Sequence, residues 1–279
     1  MIILIKKGGK KVDINDRGVL VAAHRGTCGG NVIQNTILAY EAALLHGADM
    51  LEVDVIMSTD GYFYAFHNGQ EPLVLHMHKD IRTMSAKEIE ALHCVNLSGH
   101  KVNQRLERLE VILERFRGRC FINIDRSWFY WQETIDFLDS MQMQDQILLK
   151  SPVERELLTV LAKSGSNLMY MPIVNSVEEW GIVQEYEVNL AAAELIFEDL
   201  NSPLITPEFI GGLHDRNILA WVNAITLDDT HILSGLLDDN NAIKYGFDAA
   251  WGKLVEMGFD IIQTDWPALL KNYLSGGEN

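Results

Sequence analysis

The sequence predicts a single closed (β/α)8 TIM barrel, and three observations carry that reading. Short, nearly continuous apolar runs recur along the chain; helix-like patterns separate them; and there are eight runs in 279 residues that are 48% hydrophobic, a length that such barrels reach as one domain, here taken as 1–279. The runs are VLVAAH (19–24), MLEVDVIM (50–57), CFINID (120–125), QILLK (146–150), LMYMPIV (168–174), ELIFE (194–198), ILAWVN (218–223) and FDIIQTD (259–265). A strand covered on both faces needs apolar residues on both, so these runs do not alternate cleanly.

Helix signals fill the gaps. Ser151-Pro152-Val153-Glu154 supplies an N-cap, a proline at the first helical position and a capping-box glutamate, ahead of a helix that stops at Gly165. Ser85 with Glu88 and Ser176 with Glu179 repeat the capping-box spacing, and Thr206-Pro207 repeats the cap and proline. From Arg105 to Phe116, apolar residues fall at 106, 109, 112, 113 and 116, one buried helix face. The longest connection, 58–119, lies between the second and third strands and is expected to carry added structure over the active face.

That connection opens with a hairpin. Read as a two-residue type I′ turn, Asp60-Gly61 pairs 59 with 62, 57 with 64 and 54 with 67. Opposed residues project from one face, as do residues two apart on a strand, so Glu52, Asp54 and His67 are expected to converge. Their position is the carboxyl end of the second barrel strand, where barrel enzymes carry their active sites.

Composition excludes several classes of partner. The formal net charge of −16 disfavours nucleic acid and anionic lipid surfaces, which need clustered Lys and Arg. No run reaches the roughly 20 apolar residues of a membrane span, and the apolar start Met1 to Ile5 meets Lys6 and Lys7 too early for a secretory core. Three cysteines, Cys28, Cys94 and Cys120, are too few for a disulfide framework. The expectation is a cytoplasmic protein without stable membrane association.

Two carboxylates on an otherwise apolar strand are costly to hold together unless neutralised. They pair with Arg or Lys inside the barrel, or they bind one hard divalent cation, Mg²⁺ or Ca²⁺. The first strand ends in His24-Arg25-Gly26: a proton-transfer group, a forked donor for phosphate, and a residue that lets backbone approach closely.

In order and spacing, His24-Arg25-Gly26, Asn35-Thr36, Glu52-x-Asp54-Val55, Thr59-Asp60-Gly61 and His67 resemble the glycerophosphodiester phosphodiesterase family, one of the phosphoinositide-phospholipase-C-like barrels. Trp221-Val222-Asn223 and Thr264-Asp265-Trp266-Pro267 are similar to that family's seventh strand and closing motif. The resemblance implies a metal-dependent hydrolase that cleaves a small-molecule glycerophosphodiester to glycerol phosphate and an alcohol. It implies His24 as general base, His67 as general acid, Glu52 and Asp54 as metal ligands, Arg25 on the phosphoryl oxygens and Trp221 as a wall for the glycerol carbons.

The third strand departs from the family pattern, which has Glu-x-Lys where this chain has Asn123-Ile124-Asp125. We expect Asp125, alongside Asn123, to complete the metal site, and Lys150 at the end of strand four to replace the displaced positive charge near the phosphate. Gln34 and Asn68 likewise stand where the family commonly has Glu and Asp. Two other readings use the same residues: a barrel acting on lipid phosphodiesters, of the sphingomyelinase D or phospholipase type, and a catalytically altered barrel that binds a phosphorylated ligand. His76 and His78 read as exposed residues of the long connection, Cys28 as a small loop residue, and the aromatic cluster 127–131 as either a substrate wall or local core.

Overall fold

A computed structural model of the chain describes residues 5–7, 10–12 and 18–277. The apolar start read above as too short for a leader therefore lies, apart from Ile5, outside the described residues. Strands β1 (Ile5–Lys7) and β2 (Lys10–Val12) pair antiparallel with each other.

The barrel follows. Its eight parallel strands are β3 (Leu20–Ala23), β4 (Met50–Met57), β6 (Phe121–Asp125), β7 (Ile147–Pro152), β8 (Met169–Val174), β9 (Ala192–Leu195), β10 (Leu219–Asn223) and β11 (Ile261–Thr264). They neighbour one another in chain order, and β3 pairs with both β11 and β4, so the sheet closes on itself. β5 (Phe63–Ala65) is the exception, added antiparallel to β4. The expected (β/α)8 TIM barrel with a hairpin after its second strand is borne out.

Seven of the eight predicted runs fall on these strands, while the sixth strand lies two residues earlier than expected. Its start is the alanine run 191–193, which reads as helix-forming and hides the strand. The chain then turns aside at Phe197, which bridges to Ser234.

Outside the barrel, the helices are α1 (Ile37–Leu45), α2 (Glu71–Leu75), α3 (Ala86–Glu90), α4 (Leu109–Phe116), α5 (Trp131–Ser140), α6 (Arg155–Ser164), α7 (Val177–Val183), α8 (Pro207–His214), α9 (Asp239–Tyr245), α10 (Trp251–Glu256) and α11 (Pro267–Leu274). The capping box of α3 forms as read, and Thr206 caps α8 with Pro207 behind it. Ser176 caps α7 through the Glu179 amide, but Glu179 turns its carboxylate to Asn175 instead. Ser151-Pro152 is not a cap: β7 runs through both residues, and α6 begins after Glu154. α4 starts only at Leu109, because Arg105 and Leu106 belong to the connection before it.

That connection, 58–108, is a small lobe with its own core, in which Phe66, Val74, Ile81, Ile89 and Leu106 pack on Ile56 and Tyr64 of the hairpin. The hairpin turn differs from the expectation. Ser58 pairs with Tyr62 across a three-residue loop, with Gly61 at φ +86°, and the register is Val55 with Ala65 and Met57 with Phe63. This slip of one residue would put His67 opposite Val53, on the outward face. β5 ends at Ala65, however, and only the Phe66 amide still reaches the β4 backbone, at Asp54. His67 is therefore free of the ladder and turns back to the cleft lined by His24.

Candidate functional site

Inside the barrel, period-two alternation divides each strand's inward positions into two levels. Towards the amino ends these positions are apolar: Leu20, Met50, Phe121, Leu148, Met169, Leu219 and Ile261 form one closed cluster with Trp221. Two and four residues on, the same face turns polar, with Glu52 and Asp54 on β4, Asn123 and Asp125 on β6, Lys150 on β7, Glu194 on β9, Asn223 on β10 and Gln263 on β11. This polar level sits under the loops at the carboxyl ends.

The first strand delivers Arg25 through a tight turn. Arg25 and Gly26 both have positive φ, and a Cβ at Gly26 would sit 2.7 Å from the Ala39 backbone, so only glycine lets the turn pack on α1. The strained Arg25 backbone is held by its amide donating to Glu52 Oε2 at 2.8 Å, and its Nε lies 3.0 Å from Asp54 Oδ2. Asn35, another positive-φ residue, donates to Asp54 Oδ2 at 2.8 Å, accepts from the Asp54 amide, and is itself steadied by the Tyr40 hydroxyl. The Asn-Thr pair thus serves two ends: Asn35 fixes Asp54, and Thr36 caps α1.

Glu52, Asp54 and Asp125 each bring a carboxylate oxygen to within 4.8 Å of the others. Burial, followed by the charges of Asp54 and Asp125, pushes the Glu52 carboxyl well above its ordinary range. Burial also raises Asp125, but the Lys150 ammonium and the Arg126 amide outweigh it and hold that carboxyl low. Lys150 is 3% exposed and lies between Asp125 Oδ2 at 2.8 Å and Glu194 Oε2 at 3.0 Å. Burial acts to lower its pKa, and the surrounding carboxylates raise it further. Arg25 thus pairs with Asp54, Lys150 pairs with Asp125 and Glu194, and Glu52 accepts from the Arg25 amide.

These residues fit a divalent cation. The Asn123 amide nitrogen donates to the Leu148 carbonyl, which leaves its buried Oδ1 without a partner on the face shared with Asp125. Three carboxylates and an orphaned amide oxygen are the hard donors that Mg²⁺ and Ca²⁺ take, and a cation there would offset the repulsion from Asp54 and Asp125 that helps to raise Glu52.

Above the cluster opens a cleft of about 830 Å³, lined by His24, Arg25, Gly26, Gln34, His67, Thr226 and Asp265 among others. His24 Nδ1 meets Asp265 Oδ1 at 2.8 Å. Asp265 is held in turn by its amide donating to Asp239, a buried carboxylate that also accepts from Thr264 and the Trp251 indole. Burial is the main influence on Asp239 and lifts it to about 7 in spite of those donors. His67 has a buried Nδ1 without a partner, and burial lowers its pKa against the opposing pull of Asp54. Thr27 and Thr226, also in the cleft wall, each hold a buried hydroxyl without a partner.

Of the residues singled out from sequence, His24, Arg25 and His67 meet in the cleft, and Glu52, Asp54 and Asp125 gather beside Arg25. Trp221 does not reach the cleft: it is fully buried in the barrel interior, donates to Asn223, and presents its ring to Lys150. Lys150 is likewise enclosed by carboxylates instead of lining the cleft. The aromatic cluster is mostly core, with Trp131 packed on Tyr170 and only Phe129 exposed. Glu194, Asp239 and the pairing role of Asp265 were missed. Glu194, like Glu52, is an acid in an otherwise apolar run, but the displaced strand hid its inward position.

Fold and site define a (β/α)8 barrel with a histidine-lined cleft over a carboxylate cluster at its carboxyl end. Comparison with known proteins narrows this. A family model, DUF4996, described as a domain of unknown function, matches residues 170–274. A curated glycerophosphodiester phosphodiesterase of Caldanaerobacter subterraneus subsp. tengcongensis is 26% identical over 143 residues, covering 51% of this chain and 52% of the relative. One from Bacillus altitudinis is 28% identical over 140 residues, covering 47% and 57%. The chain thus matches about half the length of these relatives. Among solved structures, a glycerophosphoryl diester phosphodiesterase from Parabacteroides distasonis superposes with a TM-score of 0.75 at 17% identity, over 99% of this chain and 94% of that one. An Oleispira antarctica phosphodiesterase, solved with the product sn-glycerol-3-phosphate, does so with a TM-score of 0.67 at 14% identity, over 94% and 99%. The resemblance to glycerophosphodiester phosphodiesterases is borne out, in sequence over about half the chain and in fold over nearly all of it.

Proposed function

We propose that the chain hydrolyses glycerophosphodiesters to glycerol phosphate and an alcohol. The observation that carries this is the joint placement of His24, Arg25 and His67 around a cleft with partnerless hydroxyls, with the cluster of Glu52, Asp54 and Asp125 beside Arg25. The named relatives, and the neighbour holding glycerol-3-phosphate, support the same substrate class.

Glu52, Asp54 and Asp125, with the Asn123 oxygen, would hold Mg²⁺ or Ca²⁺. When bound, that ion supplies positive charge against the phosphoryl oxygens. Arg25 has its Nη1 on Gln34 and its Nε by Asp54, so its guanidinium is braced at the cleft floor to bind the phosphodiester. Thr27 and Thr226 offer hydroxyls to the same anion. His24, backed by Asp265, and His67 both face the cleft and would serve as the proton-transfer pair, His24 as general base and His67 as general acid. Lys150 acts on the site by steadying Asp125, in place of a direct bond to phosphate.

The test is release of glycerol phosphate from glycerophosphocholine and glycerophosphoethanolamine by the purified protein, with and without EDTA. The proposal expects release that EDTA stops and Mg²⁺ or Ca²⁺ restores. No metal-dependent release from either would instead favour a barrel that only binds a phosphorylated ligand.

A further inference from the structure

The segment after β10 leaves the barrel, crosses to the end of β9 and comes back. There the Phe197 amide donates to the Leu233 carbonyl and the Gly235 amide to the Phe197 carbonyl. On its return the segment starts α9 at Asp239, whose amide donates to the Ala224 carbonyl at 2.7 Å, so it closes on its own beginning. The Asp239 carboxylate is 1% exposed and meets donors only. Its Oδ1 accepts from the Trp251 indole at 3.0 Å and the Thr264 hydroxyl at 2.8 Å, and its Oδ2 accepts from the Asp265 amide at 2.8 Å. Because the Thr264 oxygen accepts in turn from the Trp266 amide, the whole turn from Thr264 to Trp266 hangs on this one carboxylate. A packed apolar residue would fill the space without the cost of desolvating a charge. What the carboxylate adds is direction.

We infer that Asp239 is a positioning residue for His24: it fixes the Asp265 backbone, and through the Asp265 carboxylate it fixes the tautomer and direction of the imidazole. The Asp265 side chain is 45% exposed, so its 2.8 Å bond to His24 Nδ1 competes with water, and the backbone behind it decides where the carboxylate points. A carboxylate only accepts, so Nδ1 carries the hydrogen and Nε2 is left as the basic nitrogen. Asparagine at 239 fills the same space but cannot serve all three donors. With its oxygen turned to Trp251 and Thr264, its amide nitrogen faces the Asp265 N–H, donor against donor, and Asp265 is displaced. The inference rests on the phosphodiesterase reading above only in its rate measurement.

The experiment compares wild type, Asp239→Asn and Leu254→Ala, the last opening a cavity in the core at α10 and removing no polar contact. The work is done at about pH 8, above the value of about 7 to which burial lifts Asp239, so that the wild-type group is ionised. One readout is glycerol phosphate release from glycerophosphocholine and glycerophosphoethanolamine with Mg²⁺ or Ca²⁺. The other is the ¹⁵N shift of His24 Nδ1 in protein with labelled histidine, assigned by its loss in His24→Ala. Asp239→Asn should lower kcat about tenfold with KM within about twofold, and move Nδ1 from the N–H range towards the lone-pair range. Leu254→Ala should lower the melting temperature and move neither. Asp239→Ser, one bond shorter, is read in the same two ways and with the same expectation if the asparagine variant does not fold. Unchanged kcat and Nδ1 overturn the inference. So does an equal change in Leu254→Ala, since Asp239 is then only part of the core, and so does a lower kcat with Nδ1 unmoved, since the effect then does not pass through His24. If wild type releases no glycerol phosphate, the phosphodiesterase reading fails and the Nδ1 shift alone decides the inference.

Discussion

The two ends of the barrel interior differ although they share the same strands. At the amino level, Leu20, Met50, Phe121, Leu148 and their neighbours close down to a void of about 10 Å³. At the carboxyl level, two to four residues further along those strands, buried acids, amides and a lysine lie beside a cleft of about 830 Å³. The apolar level needs no partner and fills its space by packing. The polar level keeps carboxylates that repel one another and several orphaned polar atoms, a standing cost that a packed core would not carry. Labour is divided along each strand: the first inward residues hold the barrel closed, and the last ones carry the polar groups of the candidate site.

Substitution at the carboxyl level is expected to give the largest effect on activity. His24→Ala and His67→Ala should each lower kcat by about 10² to 10⁴-fold, the usual contribution of a proton-transfer group, with thermal midpoints near wild type. Parallel rate and melting measurements check this, and a loss confined to KM would remove them from proton transfer.

Glu194 and Leu148 separate the two levels by stability and rate. Glu194→Ala leaves Lys150 buried with only Asp125 in contact, and should cost about 3 to 5 kcal/mol of stability together with activity. Leu148→Ala, in the apolar level, should cost about 2 to 5 kcal/mol with kcat/KM little changed. Denaturant midpoints and rates for the two variants side by side would show whether the levels separate as described.

Acidity offers a third test. The ordinary carboxyl value for Asp239 is 3.8, and burial lifts it in the fold to about 7. Between those values the unfolded chain has lost the proton that the fold keeps. This group's contribution is thus fully present below about pH 4 and is lost as pH rises towards 7, at about 1.4 kcal/mol per unit. Asp239→Asn should flatten the fall in melting temperature over that window. An unchanged slope would show that Asp239 ionises normally in the fold.

The smallest effect is expected at Asp265. Asp265→Asn keeps a side chain beside His24 but removes its charge, and should lower kcat about tenfold through loss of imidazole positioning, with KM steady. A change in KM alone would make Asp265 a substrate contact instead of a positioning residue.

Much of this was legible in the sequence, for a physical reason. A strand covered on both faces must be apolar throughout, so Glu52 and Asp54 stood out as soon as the run was read. What was lost depended on single-residue register and on partners far apart in the chain. The three-residue turn shifted the hairpin by one place, and His67 reached the site only because the ladder ended first. Trp221 read as a substrate wall because a strand pattern does not show which level of the interior a residue occupies. Asp265 finds His24 across 241 positions, and Lys150 finds Glu194 across 44, distances that no local pattern spans.

The proposed divalent-cation site at the carboxyl level depends on Asp125, because Asn123 stands where a carboxylate is expected. Calorimetric titration of Mg²⁺ and Ca²⁺ into EDTA-stripped wild type and Asp125→Ala tests it most directly. One site is expected in wild type, with at least about tenfold weaker binding in the variant. Equal affinity in the two proteins would contradict it.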